Sequence, residues 1–407
     1  MVDTQNSNPQ RIDSLDSLRG LGVLGILMVN VMAMAWPGGV YTFPALYPGP
    51  DNPLNNTVLW ATETFFSLKF ITLFSLLFGV SLFLVGGERH DPIRSPLIRN
   101  RLLWLGAFGL FHGIVIWYGD ILLQYALAGL IVLLMRSFSA KRLIIIGILL
   151  YLLSWCVVSG LIILLESAPK AVIESAAADM VPITPEDVQR SMAAFRGDAL
   201  SSLNENIKNW IDLGLMSLAY LPRTIGVMML GMGLFKSGFF TGKSPIWLYA
   251  AFVVAGAGSL WLIGTSVQDM IARGHPMPEA LGSGRAANEG LSLVVTLGYM
   301  SIVLLLLRLG AGRIVGFLNP VGRMAFTNYL TQSLIMTAIF WGGRGLGLMG
   351  EFDRVEAMLC VFGVWALQII WSPVWLSQFR MGPFEWVWRC LTQGHLLPIR
   401  LDKQTPA

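Results

Sequence analysis

The sequence predicts an all-α, polytopic membrane protein with about ten transmembrane helices and both termini in the cytoplasm, on three observations. Of its 407 residues 55% are hydrophobic and only 13% charged, about half the charged share of a soluble domain. Apolar stretches near 20 residues, the length of a helix that crosses a bilayer, recur along the chain. No stretch alternates apolar and polar residues as the strands of a membrane barrel do. The same arithmetic excludes an ordinary soluble enzyme, a disordered chain and a nucleic-acid binder. The net charge of +4 is what basic cytoplasmic loops supply, so membrane lipids, and no nucleic acid, are the expected surroundings. Cys156, Cys360 and Cys390 lie in or beside apolar stretches, which suggests neither a disulfide framework nor a metal site.

The ten segments run over 16–36, 66–86, 99–118, 120–136, 142–165, 211–235, 245–266, 288–308, 320–342 and 356–377. Residues 54–65 read as an amphipathic lead-in to the second. The first is too long for a cleaved signal and lacks a small-residue cleavage site. With the N-terminus inside, roughly twice as many Lys and Arg fall in inner segments as in outer ones, as the positive-inside rule requires. The expected organisation is a cytoplasmic tail 1–15, a five-helix half 16–165, an extracytoplasmic loop 166–210, a second five-helix half 211–395 and a cytoplasmic tail 396–407. In the loop, TPED at 184–187 is a helix-start signal.

Polar groups inside spans are expensive in lipid, which makes them the first places to look for function. Asp16 and Arg19 are three residues apart at the start of the first span, hence on one helical face. They read either as an interface anchor or as a paired charge at a cytoplasmic gate. Asn30 further along could bond between helices or polarise a carbonyl in a dry cavity. In the third span His112 stands 13 residues after Arg99, about 20 Å along a helix. It is the only one of the four histidines inside a span, where a neutral imidazole could take a proton from a hydroxyl or amine; the plainer alternative is a buried His bonded to a neighbouring helix. Asp120 reads as the N-cap of the fourth span. Arg223, after Pro222, needs a partner, with Asp212 or a ligand anion as candidates. Arg323 opens the ninth span ahead of Thr327, Asn328 and Gln332. Arg89, Arg94, Arg99 and Arg101 could hold a phosphorylated ligand or simply mark the inner face. No phosphate-binding loop, dinucleotide fingerprint, His-rich metal site or nucleophile elbow is present.

RIDSLDSLRGLGVLGILMVN (11–30), LFGVSLFLVGG (77–87), FHGIVIWYGDILLQYAL (111–127), GRMAFTNYLTQS (322–333) and GPFEWVWRCLT (382–392) together resemble the bacterial YeiB family, whose C-terminal part is a domain of unknown function. The resemblance covers nearly the whole chain. It implies a multi-pass protein of the bacterial inner membrane, in a family loosely labelled transport-associated. More distantly, 16–165 resembles the transmembrane acyltransferases of the heparan-glucosaminide N-acetyltransferase type. Those begin with an aspartate, an Arg-Gly or Arg-Ala pair and a hydrophobic helix, and carry an Asn where Asn30 stands here. They add a catalytic His eleven residues on, in an outer loop. The matching residue here is Tyr41, and no His occurs in 31–89. His112 is therefore the residue of this chain that could supply the base.

The expectation is a membrane acyltransferase that moves an acyl (acetyl) group from a cytoplasmic CoA thioester to an extracytoplasmic or membrane acceptor. Acetyl-CoA would sit with its phosphates near Arg99 and Arg101. Asn30 would hydrogen-bond the acyl carbonyl, and His112 would deprotonate the acceptor. The alternatives are a transporter or permease for a small metabolite and a non-catalytic membrane protein. A second copy of the chain is a further candidate partner.

Overall fold

The computed structural model describes residues 13–89, 91–167, 169, 184–274 and 283–401. The expected tails and the loop at 166–210 therefore lie partly outside the described residues, as do His90 and His275. Among the described residues these helices carry the fold: α1 (Asp13–Asn30), α2 (Lys69–Gly86), α3 (Arg94–Phe111), α4 (Leu122–Val132), α5 (Ala140–Glu166), α6 (Pro185–Arg196), α7 (Ala199–Ala219), α8 (Leu221–Lys236), α9 (Ile246–Ala272), α10 (Ser283–Arg308), α11 (Leu318–Arg323), α12 (Ala325–Phe340), α13 (Arg354–Leu376) and α14 (Pro383–Gln393). A further short helix, Asn55–Ala61, leads through a wide turn at Thr62–Phe66 into α2. Among the described residues there is no strand, only one isolated bridge between Phe379 and Arg400.

Six helices are long and apolar enough to cross a membrane: Asp13–Ala35, Asn55–Gly86, Ala140–Gly160, Ile246–Ala272, Arg285–Arg308 and Arg354–Leu376. They correspond to six of the ten expected segments. The other four are interrupted. The segment at 211–235 is bent by 60° between α7 and α8, where Pro222 in the first turn of α8 has no N–H to continue a helix. The segment at 99–118 leaves regular α-helix at His112, and Trp117 is extended. The segment at 120–136 is an apolar helix too short to qualify, and that at 320–342 breaks at Met324 between α11 and α12.

Burial ranks the helices. The most apolar window of α1 is 72% buried, against 17% for α5 and 22% for α9. So α1 is the central post, while α5 and α9 present Leu149, Leu153, Val157, Val254 and Trp261 outward. Outward apolar residues of that kind suit a hydrocarbon solvent. Close crossings rest on glycine. A Cβ at Gly20 would overlap the Leu318 carbonyl, and one at Gly322 the Asp16 carbonyl, so α1 and α11 meet backbone to backbone. Gly79 and Gly231 do the same for α2 and α8. In lipid such small-residue crossings gain dispersion contacts that larger side chains would prevent.

The two ends of the bundle differ. One carries the start of α1, the start of α3 and α14, with Arg136 donating to the Gly87, Leu133 and Arg89 carbonyls and Lys236 to the Arg136 and Phe138 carbonyls. The opposite end is aromatic. Trp36, Trp117, Tyr118 and Trp341 pack with Phe195 of α6 in one buried cluster, the rings of Phe195 and Trp341 lying 4.4 Å apart.

Candidate functional site

The site begins where α1 starts. Asp16 and Arg19 form the expected pair, 3.0 Å apart, and Arg19 also donates to Ser81 of α2 at 3.0 Å. Beside them a cavity of about 350 Å³ opens among α1, α2, α3, α4, α12 and α14. Its wall at the basic end holds Arg19, Arg101, Arg323 and Arg389 against Asp16 and Glu385, an excess of positive charge. Trp388 accepts the Arg101 guanidinium over its ring at 3.9 Å and donates its indole N–H to the Arg101 carbonyl at 3.0 Å. Glu385 is committed: it accepts the backbone N–H groups of Phe326 and Thr327 at 2.8 and 3.1 Å and the Thr327 hydroxyl at 2.5 Å. A carboxylate there satisfies the orphan donors at the N-terminus of α12.

Towards its inner end the wall turns apolar and aromatic, with Ile26, Ile121, Leu122, Tyr125 and Tyr329. Directly behind Tyr329 lies His112, the two ring centroids 5.2 Å apart. His112 is fully buried. It sits at the start of a wide turn, His112–Ile116, in which the Trp117 N–H bonds to the His112 carbonyl. Such i→i+5 turns occur mainly at functional sites. Nδ1 of His112 lies 3.0 Å from Asp120 Oδ1, and Nε2 lies 3.0 Å from the Ser333 hydroxyl. The other Asp120 oxygen accepts the Leu123 N–H at 2.9 Å, the N-capping role the sequence assigns to it. Where Asp120 is ionised it can only accept; the His112 tautomer that fits has its proton on Nδ1, towards Asp120, and a lone pair on Nε2, towards Ser333. A buried imidazole oriented by a carboxylate is the arrangement that moves protons from hydroxyls and amines.

The structure thus lines one cavity with Asp16, Arg19, Arg101 and Arg323; His112 and Asp120 are not among its lining residues and adjoin it through Tyr329, which does line it and whose ring lies 5.2 Å from that of His112. It does not bring Arg99 or Asn30 there. Arg99 is exposed, and Asn30 closes α1, half-buried; neither is among the residues lining the cavity. Arg223 is a correction. Its partner is Glu289 at 3.5 Å, with Thr72 and Ser292 accepting at 3.1 and 2.9 Å, and not Asp212, which is exposed on α7 across the 60° bend. Sequence reasoning misses Ser333, Glu385, Trp388 and Arg389, because their place depends on pairings across the fold rather than on spacing.

An uncharacterized protein of Escherichia coli (strain K12), YeiB, is 33% identical over 398 residues, covering 94% of this chain and 96% of its own length. This chain belongs to the YeiB family. The YeiB-type family described as "Protein of unknown function (DUF418)" matches residues 234–395, the part that includes Ser333, Glu385 and Arg389. Uncharacterized YxaH of Bacillus subtilis is 28% identical, with 96% of both chains covered. An uncharacterized 39.9 kDa protein from the amylase 3' region of Bacillus acidopullulyticus is 25% identical, with 97% of both covered. No solved structure matches.

Proposed function

We propose that this YeiB-family protein is a membrane acyltransferase, taking an acyl group from a cytoplasmic CoA thioester to an extracytoplasmic or membrane acceptor. The observation that carries the reading is the His112–Asp120 pair, 3.0 Å apart, behind the inner end of an arginine-walled cavity. The basic end is the cytoplasmic one by the positive-inside rule. That orientation puts the arginines on the side where CoA is found, with both termini inside a bacterial inner membrane. Ten passes follow if the interrupted segments also cross. Arg94 to Ile116 runs 23 residues, about 34 Å at helical rise, and so does Leu318 to Phe340.

In this reading Arg101, Arg323, Arg389 and Arg19 hold the phosphates of acetyl-CoA by charge-assisted hydrogen bonds. The pantetheine arm follows the apolar wall towards Tyr329. His112 Nε2 takes the proton of the attacking group, and Asp120 stabilises the imidazolium that results. Arg99 and Asn30 have no step in this form of the mechanism. Calorimetry on the detergent-purified chain with acetyl-CoA tests it: binding should be present, and weakened in Arg101→Gln and Arg389→Gln. Absence of binding by the folded wild type sinks the reading. The competing reading is a permease for a small metabolite. It draws on the bent pair α7–α8 and the break at Met324, because broken helices build many transport sites. Counterflow of solute in proteoliposomes that lack any CoA thioester would favour it.

A further inference from the structure

His112 does not face an empty space with its basic nitrogen; it faces Ser333. A mid-helix serine ordinarily turns its hydroxyl back to the carbonyl four residues earlier. Its neighbours on α12 do so tightly: Thr331 to the Thr327 carbonyl at 2.9 Å and Thr337 to the Ser333 carbonyl at 2.8 Å. Ser333 is different. Its distance to the Tyr329 carbonyl is 3.5 Å, while the His112 Nε2 is at 3.0 Å. Because Nδ1 is held protonated towards Asp120, Nε2 accepts and Ser333 donates. Ser333, His112 and Asp120 are all buried side chains, brought from two segments 221 residues apart. The first proton that His112 meets is the one on Ser333.

We infer that Ser333 is a covalent acyl carrier, so that transfer runs in two steps. The inference rests on the acyltransferase reading and adds an intermediate to it. In the first step Ser333 Oγ attacks the thioester carbonyl carbon and its proton passes to His112 Nε2. The C–S bond breaks, and the sulfur leaves with that proton as the CoA thiol. In the second, an acceptor hydroxyl or amine gives its proton to Nε2 and attacks the seryl ester. The C–O bond to Ser333 breaks, and His112 returns the proton to Ser333. Atoms and charge balance with only donor and acceptor supplied. Tyr329, one turn before Ser333 on α12, lines the cavity and covers His112; it must rotate for the acyl group to reach Ser333.

The test uses the full chain in detergent and two probes without any acceptor: acetyl-CoA, and an alkyl fluorophosphonate that reacts with activated serines whatever the natural donor. Acetyl-CoA should give a burst of about one thiol per chain. Both probes should leave adducts on the peptide containing Ser333, identified by mass spectrometry. Both adducts should vanish in Ser333→Ala and His112→Asn that elute as folded protein, and an acyl adduct should return in Ser333→Cys. If the wild type turns over acetyl-CoA while neither probe marks Ser333, the covalent step is overturned and direct transfer stands. If acetyl-CoA neither binds nor reacts yet the fluorophosphonate marks Ser333, the nucleophile is supported and the CoA donor is lost. If nothing binds or reacts, both readings fall.

Discussion

Two of the buried polar clusters among the described residues make the sharpest contrast. One is His112 with Asp120 and Ser333. The other joins α2, α8 and α10. There Arg223 reaches Glu289, Thr72 and Ser292 and lies over the Tyr151 ring at 5.2 Å. Beside it the fully buried Lys69 donates to Asn288 at 2.6 Å and to the Glu63 carbonyl at 2.8 Å. The second cluster has more charge and more partners, yet none of Lys69, Arg223 and Glu289 lines the large cavity. His112, Asp120 and Ser333 do not line it either, but Tyr329, whose ring lies 5.2 Å from that of His112, does, and so joins the first cluster to about 350 Å³ of space. Charge inside a membrane protein is therefore not by itself the mark of a site. Charge next to space that a ligand can enter is the better mark, and the Arg223 cluster reads as structural glue between broken helices.

Breaking each cluster should have different consequences. His112→Ala should lower acyl transfer by up to about 10⁴-fold, the upper range for loss of a general base, and should also lower the thermal midpoint, because it empties a buried site and leaves the Asp120 carboxylate without its ring partner. A comparable activity loss from Arg223→Met with unchanged stability would reverse the assignment of the two clusters. Arg223→Met should instead destabilise, by up to about 3–5 kcal/mol, since it removes the nearer of the two cations beside buried Glu289 and leaves only Arg285 at 3.8 Å; thermal unfolding in detergent measures this. Arg101→Gln should raise the KM for acetyl-CoA about tenfold or more with kcat nearly unchanged, the pattern of a lost charged hydrogen bond used only for binding.

What was readable in the sequence is what local spacing encodes. The Asp16–Arg19 pair is an i,i+3 contact, Asp120 is a cap three residues before the N–H it accepts, and the six continuous spans follow from composition over about 20 residues. What stayed hidden is set by distant pairing. Glu289 is 66 positions from Arg223, whereas Asp212, only 11 positions away, is exposed on α7. Ser333 shares α12 with six other hydroxyl or amide side chains, Thr327, Asn328, Tyr329, Thr331, Gln332 and Thr337, and nothing in its spacing shows that it turns to His112. The break after Phe111 was also hidden, because FHGIV contains no proline and a wide turn leaves the apolar pattern intact.

The smallest expected effect is far from either cluster. Thr184 and Asp187 form a reciprocal cap at the start of α6. The Thr184 backbone N–H, then its hydroxyl, holds the Asp187 carboxyl below its ordinary range. A lowered native pKa stabilises the fold above the unfolded value and loses that contribution as pH falls through the native one. Thr184→Ala should thus lower the thermal midpoint slightly at neutral pH, with the difference from wild type closing below about pH 4. A difference independent of pH would show that the hydroxyl matters and the carboxylate does not.

The cavity wall is drawn from Asp16 to Tyr125 at one end of the chain and from Gly322 to Arg389 at the other. Its last pieces, Glu385, Trp388 and Arg389, lie on α14, the final helix described. Glu385 also secures the N-terminus of α12, on which Ser333 rides. A chain still being synthesised therefore has no complete pocket even when the thirteen helices before α14 have all emerged, and one wall stays missing until α14 folds back. Competence for ligand becomes a report that synthesis and insertion have finished.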